Sequence, residues 1–147
     1  MTNTSRYFSL DQILLGSFFG GPLATTYFLA KNYGAIGYLE KRVRVAAIGV
    51  VLSLLSMMVL SFLPPYFELA ICTNVLYMGI GYHISKRQQQ PYLNRDFNKF
   101  GNSRVALIAV CSLILLTLIT GLWSALLNHL GAENTLDAKR IPFLHLP

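Results

Sequence analysis

The residues best placed to do chemistry are polar ones set in apolar surroundings. Thr25 and Thr26 follow a Gly20–Gly21–Pro22 break inside "GSFFGGPLATTYFLAKNYG". Asn74 and Tyr77 sit within "AICTNVLYMGIGYH", and His83 closes that stretch. A buried amide such as Asn74 seeks a partner on another helix, a bond worth about 0.6 kcal/mol on average. Its functional alternative is a place on a permeation path. His83 lies two residues before a basic loop, so it reads as an interfacial polar group, with a proton relay as the alternative. The Gly-Gly-Pro break has two readings as well. A broken helix would expose backbone to an ion or substrate, and that wants a matching break elsewhere. Gly79 and Gly81 are a weak match because no proline accompanies them. The better reading is a kinked packing face. Pro22 removes one backbone hydrogen bond, and Thr25 and Thr26 are expected to satisfy the freed carbonyl.

Other chemistry lacks its parts. Apart from Glu68, the first residue of the third predicted span, no Asp, Glu, Lys or Arg falls inside a predicted span, whereas proton-coupled transport and intramembrane hydrolysis need ionisable groups at depth. HExxH, Gly-x-Ser-x-Gly, Walker and Gly-x-Gly-x-x-Gly motifs do not occur. His129 and His145 are isolated and make a poor metal site. Cys72 and Cys111 fall inside predicted helices and read as small packing residues. The expectation is no catalytic residue, no metal, no cofactor and no enzyme.

The elements that carry these residues are set by the charge pattern. Hydrophobic residues make up 54% of the 147 and charged residues 12%, against about one quarter charged in a soluble domain. Residues 12–30, 45–67, 69–85 and 105–128 carry no charged side chain. A helix needs about 20 apolar residues to cross the hydrocarbon core. The expected fold is therefore all-α, a four-helix transmembrane bundle forming one integral membrane domain over 1–147. Its spans are 12–30, 45–63, 68–85 and 105–128. None of the runs alternates apolar and polar faces as a soluble amphipathic helix does. The leader "MTNTSRYFSLDQ" has one basic residue and no A-x-A site follows, so the first span is expected to remain in the mature chain.

Small residues recur at four-residue spacing. Gly16, Gly20 and Ala24 line one side of the first span, Gly49 and Ser53 one side of the second, and Thr117, Gly121 and Ala125 one side of the fourth. Such stripes let backbones approach where lipid supplies no hydrophobic drive. A stripe left over inside the protomer is free to pair with a second copy. The expected partners are therefore membrane lipids and a second copy of the chain or another membrane protein.

Nine of the 12 basic residues lie in two loops: Lys31, Lys41, Arg42 and Arg44 in one, Lys86, Arg87, Arg95, Lys99 and Arg104 in the other. The positive-inside rule places both loops in the cytoplasm, and an even number of spans then places both termini outside. Tyr27, Tyr33, Tyr38 and Tyr82 fall near the inner boundary, and Tyr7, Phe62, Tyr66 and Trp123 near the outer one. The basic loops suit anionic headgroups. No basic recognition helix points to nucleic acid. "RVAAIGV" from Arg44 and "RVALIAV" from Arg104 suggest two tandem helical hairpins. In the third loop Pro91 stops a short extension of the third helix. "LNRDFNKF" reads either as an interfacial helix with Leu93, Phe97 and Phe100 toward lipid, or as a solvated linker.

"GGPLATTYFLAKNYGAIG", a basic stretch and "AAIGVVLSLL" together resemble a motif of uncharacterised small bacterial four-helix membrane proteins. There a Gly-Gly-Pro helix leads into an Asn-Tyr-x-x-x-Gly turn and a second apolar helix. The resemblance covers the first third of the chain and implies a four-helix membrane protein without naming an activity. The expected location is the bacterial inner membrane, multi-pass, with both termini periplasmic. The expected function is action through protein or lipid contacts: an accessory subunit, an immunity-type protector, or a membrane-stress or defence component. The alternative is an oligomeric small channel or transporter subunit.

Overall fold

The computed structural model describes residues 6–61, 67–93 and 98–129. Phe62, Tyr66, Arg95, Phe97 and the tail after His129 lie outside the described residues. The order is β1 (Arg6–Tyr7), α1 (Leu10–Ile36), α2 (Leu39–Ser61), α3 (Phe67–Ile84), a π-helical turn (Ser85–Gln89), α4 (Gln90–Leu93), β2 (Asn98–Lys99) and α5 (Asn102–His129). The fold is all-α, with a two-residue parallel ladder between β1 and β2. Three helices, α1, α2 and α5, are long and apolar enough to cross a membrane, with mean hydropathies of 1.4, 2.3 and 2.7.

Helix α1 does not run straight. Ser9 caps its start, with Gln12 closing the capping box, and Gly37 ends it in the left-handed region at φ 90°. Between them, Gly21 takes φ 64° and ψ −153°, and the chain turns back on itself. Asn32 then lies beside Phe8, accepting from its backbone N–H at 2.8 Å and donating to its carbonyl at 2.9 Å. The Phe8 and Phe28 rings are 4.7 Å apart. In a straight helix, residues 8 and 32 would be about 36 Å apart. Helix α1 is thus a hairpin of two arms, residues 10–20 and 22–36, about 16 and 22 Å long. Against a hydrocarbon core of about 30 Å, neither arm is long enough to cross by itself.

The residues expected as one span, 12–30, thus lie in a helix that is long and apolar enough to cross a membrane but is folded on itself at Gly21. Both ends of α1 lie at the end of the bundle that holds the basic loops. Arg6 and Tyr7 pair with Asn98 and Lys99 of the third loop, so Tyr7 is not an aromatic of the opposite boundary. The two halves of the chain also differ in path. The first opens with a folded helix, whereas α3 continues past the tip of the hairpin without reversing.

The other helices pack around the hairpin. Asn74 of α3 stands beside the tip at Gly21, and Gly81 of α3 faces Ile13, Ser17 and Thr25 nearer the basic end. Gly49 of α2 faces Thr26, and Val105 and Ala109 of α5 face Gly16 and Gly20. Burial follows this order. Of the most apolar stretch of each helix, 61% is buried in α1, against 11% in α2 and 17% in α5. Helix α1 is the core, and α2 and α5 turn apolar faces such as Val51, Leu55, Leu107 and Leu118 outward. An exposed apolar surface of this extent suits lipid, not water.

The basic end is closed by side chains from distant parts of the chain. Phe8 stacks on Phe100 at 4.5 Å. Gln12 Nε2 donates to the Phe100 carbonyl at 2.7 Å and to Asn102 Oδ1 at 2.8 Å. Leu93 and Phe100 are buried in the protein at 2% and 7% exposure, which corrects the reading that they face lipid. The aromatic hairpin base offers them more contact than the interface would.

Candidate functional site at the hairpin tip and lateral groove

The tip is built by two residues that the backbone selects. A φ of 64° with ψ −153° is open to glycine and strained for other residues. Pro22 follows as the first residue of the second arm, where its missing N–H costs nothing and its fixed φ favours helix. The break is therefore a helix start and not a kink in one continuous span. Thr25 donates to the Gly21 carbonyl at 3.0 Å and Thr26 to the Pro22 carbonyl at 2.9 Å. The carbonyl that the missing Pro22 N–H would leave free in a continuous helix is that of Phe18, and neither threonine serves it, which corrects that expectation. Asn74 Oδ1 lies 2.9 Å from where a Cβ on Gly21 would stand. The remaining N–H groups of the second arm's first turn point out of this tip, with the positive end of its dipole.

Between the hairpin and α3 runs a polar seam. Ser17 is fully buried, and its Oγ has no hydrogen-bond partner among the described residues. Gln89, also fully buried, donates to the Leu29 carbonyl at 2.9 Å. Tyr33 donates to Gln88 Oε1. These bonds hold the third loop against the second arm. Asn32, Gln12 and Gln89 were not singled out by sequence reasoning. The one available signal was the Asn-Tyr-x-x-x-Gly turn, which contains Asn32, Tyr33 and Gly37.

The small-residue stripes meet different fates. Gly16 faces the Phe28 ring and Val105, and a Cβ on Gly20 would stand 2.8 Å from Ala109 Cα. Ala24 belongs to the other arm and is fully buried. The Gly16–Gly20–Ala24 stripe is thus enclosed within the protomer and is not free to pair with a second copy. Gly49 packs on Thr26, and Ser53 is fully buried with its hydroxyl on the Gly49 carbonyl at 2.6 Å. Among the described residues Gly121 meets nothing within 4 Å, so it packs against none of the described helices. Tyr77 joins α3 to α2 through Ser56, at 2.7 Å, and the Leu52 carbonyl, at 3.2 Å. His83 is exposed at the basic end. Cys72 and Cys111 are free and exposed on separate helices. Among the described residues no group of three or more His, Cys, Asp or Glu could hold a metal.

Helices α2 and α5 both lean on α1 yet scarcely touch each other. The gap between them is a lateral groove of about 560 Å³, floored by the second arm of α1. Leu23, Val50, Leu107 and Leu115 line it, and Lys31 and Arg42 stand at its basic end. Beyond the hairpin tip a second gap of about 410 Å³ lies between the same two helices, lined by Leu55, Met58 and Trp123 among others. No family model, curated protein or solved structure matches this chain.

Proposed function

We propose that this chain is a non-enzymatic protein of the bacterial inner membrane that acts through contacts with lipids and other membrane proteins. In this reading α2 and α5 cross the bilayer, the 18-residue α3 crosses beside them, and α1, though long and apolar enough to cross, enters from the cytoplasm and returns to it because it is folded at Gly21. The carrying observation is the hairpin itself. It fills the middle of the bundle at the basic end, while the apolar faces of α2 and α5 are left to neighbours. Among the described residues, Arg6 joins Lys31, Lys41, Arg42, Arg44, Lys86, Arg87, Lys99 and Arg104 at that end. The charge asymmetry that favours a cytoplasmic face is therefore stronger than the loops alone imply. The N-terminus then lies in the cytoplasm, and the end of α5 faces the periplasm. A second copy or an accessory partner would meet α2 or α5, because α1 is enclosed. Within this class, an accessory subunit, an immunity-type protector and a membrane-stress component share the same surfaces.

Reporter fusions test the arrangement. Fusions at the N-terminus and after Gln89 are expected to be active only with a cytoplasmic reporter, and a fusion after His129 only with a periplasmic one. A periplasmic N-terminus would mean that α1 crosses the membrane, and would sink the proposal.

A second reading has its own observation. The start of a half-helix at mid-depth, with Asn74 beside it, is the arrangement by which channels and transporters present backbone dipoles to a solute. Liposome flux with purified protein separates the two. The expected result is flux no greater than in protein-free liposomes. Selective flux that Asn74→Leu abolishes would move the assignment to a channel or transporter.

A further inference from the structure

We infer that the groove between α2 and α5 binds one anionic phospholipid of the cytoplasmic leaflet, its phosphate on Lys31 and Arg42 and an acyl chain along the apolar walls. The inference rests on the membrane orientation proposed above.

Shape is the first argument. The groove exists because α2 and α5 pack on α1 and not on each other. Its volume of about 560 Å³ falls in the range of small-molecule sites, about 300–1,000 Å³. It opens sideways between two helices whose outer faces are apolar, so a membrane lipid reaches it without leaving the bilayer.

Charge is the second. Lys31 and Arg42 are the charged residues among those lining the groove, and no carboxylate is among them. The nearby acid, Glu40, is already paired with Arg44 at 2.7 Å. That is the one salt bridge found among the described residues. Arg42 is positioned by packing. Its Cδ, Nη1 and Nε lie 3.0, 3.4 and 3.5 Å from where a Cβ on Gly34 would stand. A glycine at 34 therefore leaves room for the guanidinium to lie along the end of the second arm. Lys41, one residue away, is held over the Tyr38 ring at 4.8 Å from its centroid. The two cations at the groove are thus left to a ligand, and a planar guanidinium beside an ammonium suits phosphate oxygens.

Depth is the third. Lys31 lies in the last turns of α1 and Arg42 in the first turn of α2, at the basic end, where headgroups sit. Leu107 and Leu115 extend the walls toward mid-bilayer, about 12 Å apart along α5. An amphiphile laid along the groove has its charge and its chain matched at once.

The full chain in nonionic detergent, titrated with phosphatidylglycerol or with phosphatidylcholine and read by native mass spectrometry, provides the test. One phosphatidylglycerol is expected to stay bound under conditions that strip phosphatidylcholine. Each cation near a phosphate contributes about a fivefold factor, so Lys31→Gln with Arg42→Gln is expected to reduce retention at least tenfold. Ala46→Trp keeps both cations, fills the groove and is expected to displace the same lipid. It decides the matter if the double variant does not fold. Equal retention of the two lipids by the wild type, or unchanged retention in a folded variant, overturns the site. A reporter that places Gln89 in the periplasm overturns the orientation and leaves the lipid selectivity in detergent standing, so the two failures are distinguishable.

Discussion

Gly21→Ala is expected to destabilise the protein by about 2–4 kcal/mol and to loosen the hairpin. The backbone at this position, φ 64° and ψ −153°, lies where residues with a Cβ carry a strain of about 1–3 kcal/mol. The added methyl would also stand 2.9 Å from Asn74 Oδ1 and 3.3 Å from Leu116 Cδ1, so at least one neighbour must move. Two glycines serve as controls. Gly79 and Gly121 meet nothing within 4 Å among the described residues and lie in helices. Alanine there is expected to be neutral or stabilising, by up to about 1 kcal/mol. Thermal unfolding in detergent measures all three. Adding Asn74→Ala to Gly21→Ala separates the causes. Little recovery is expected, because strain in the backbone outweighs the contact with a side chain. A Gly21→Ala protein as stable as its Gly121→Ala control would mean that the reversal does not occur at Gly21.

Asn32→Leu should be at least as damaging, by about 2–6 kcal/mol. Leucine has the same number and branching of side-chain heavy atoms, so no cavity is opened. What is lost is a pair of bonds to one residue: the side-chain amide accepts from the Phe8 N–H and donates to the Phe8 carbonyl. Phe8 and Asn32 are almost wholly enclosed, at 1% and 0% exposure. Leucine would leave one buried donor and one buried acceptor unmet, at about 1–3 kcal/mol each. Hydrogen exchange gives the specific readout. The Phe8 amide is expected to exchange slowly in the wild type and to be among the fastest to gain exchange in the variant. Unchanged protection at Phe8 would show that the clamp between residues 8 and 32 does not hold the base of the hairpin. Because Phe8 also stacks on Phe100, release of this clamp is expected to free the third loop together with the first residues.

Much of the architecture follows from residue types alone. Long uncharged runs separated by clustered Lys and Arg require helices that bury or immerse apolar surface. Their lengths match a bilayer, and their charges mark one end of the bundle as basic. Tyr77 was legible as a polar group needing a partner across helices, and Gly49 and Ser53 as a packing face. The path of α1 was not legible. Residues 12–30 are long enough for one crossing and equally suited to two half-crossings, since transfer of apolar side chains into lipid does not depend on chain direction. The local sign, Gly20–Gly21–Pro22, is shared by a kink and a reversal. Only contacts far apart in sequence separate the two. Asn32 must find Phe8, Gln12 must find Phe100, and Gly81 must fit against both arms, and none of these pairs has a local periodicity. The same holds for the glycine stripe, whose Gly16 and Gly20 face the Phe28 ring and α5 only after the arms have folded together. The lateral groove depends on it too. Lys31 and Arg42 are visible as basic residues in any reading of the chain. The floor between them and the gap above it exist because a folded α1 holds α2 and α5 apart, and that spacing is a property of tertiary packing.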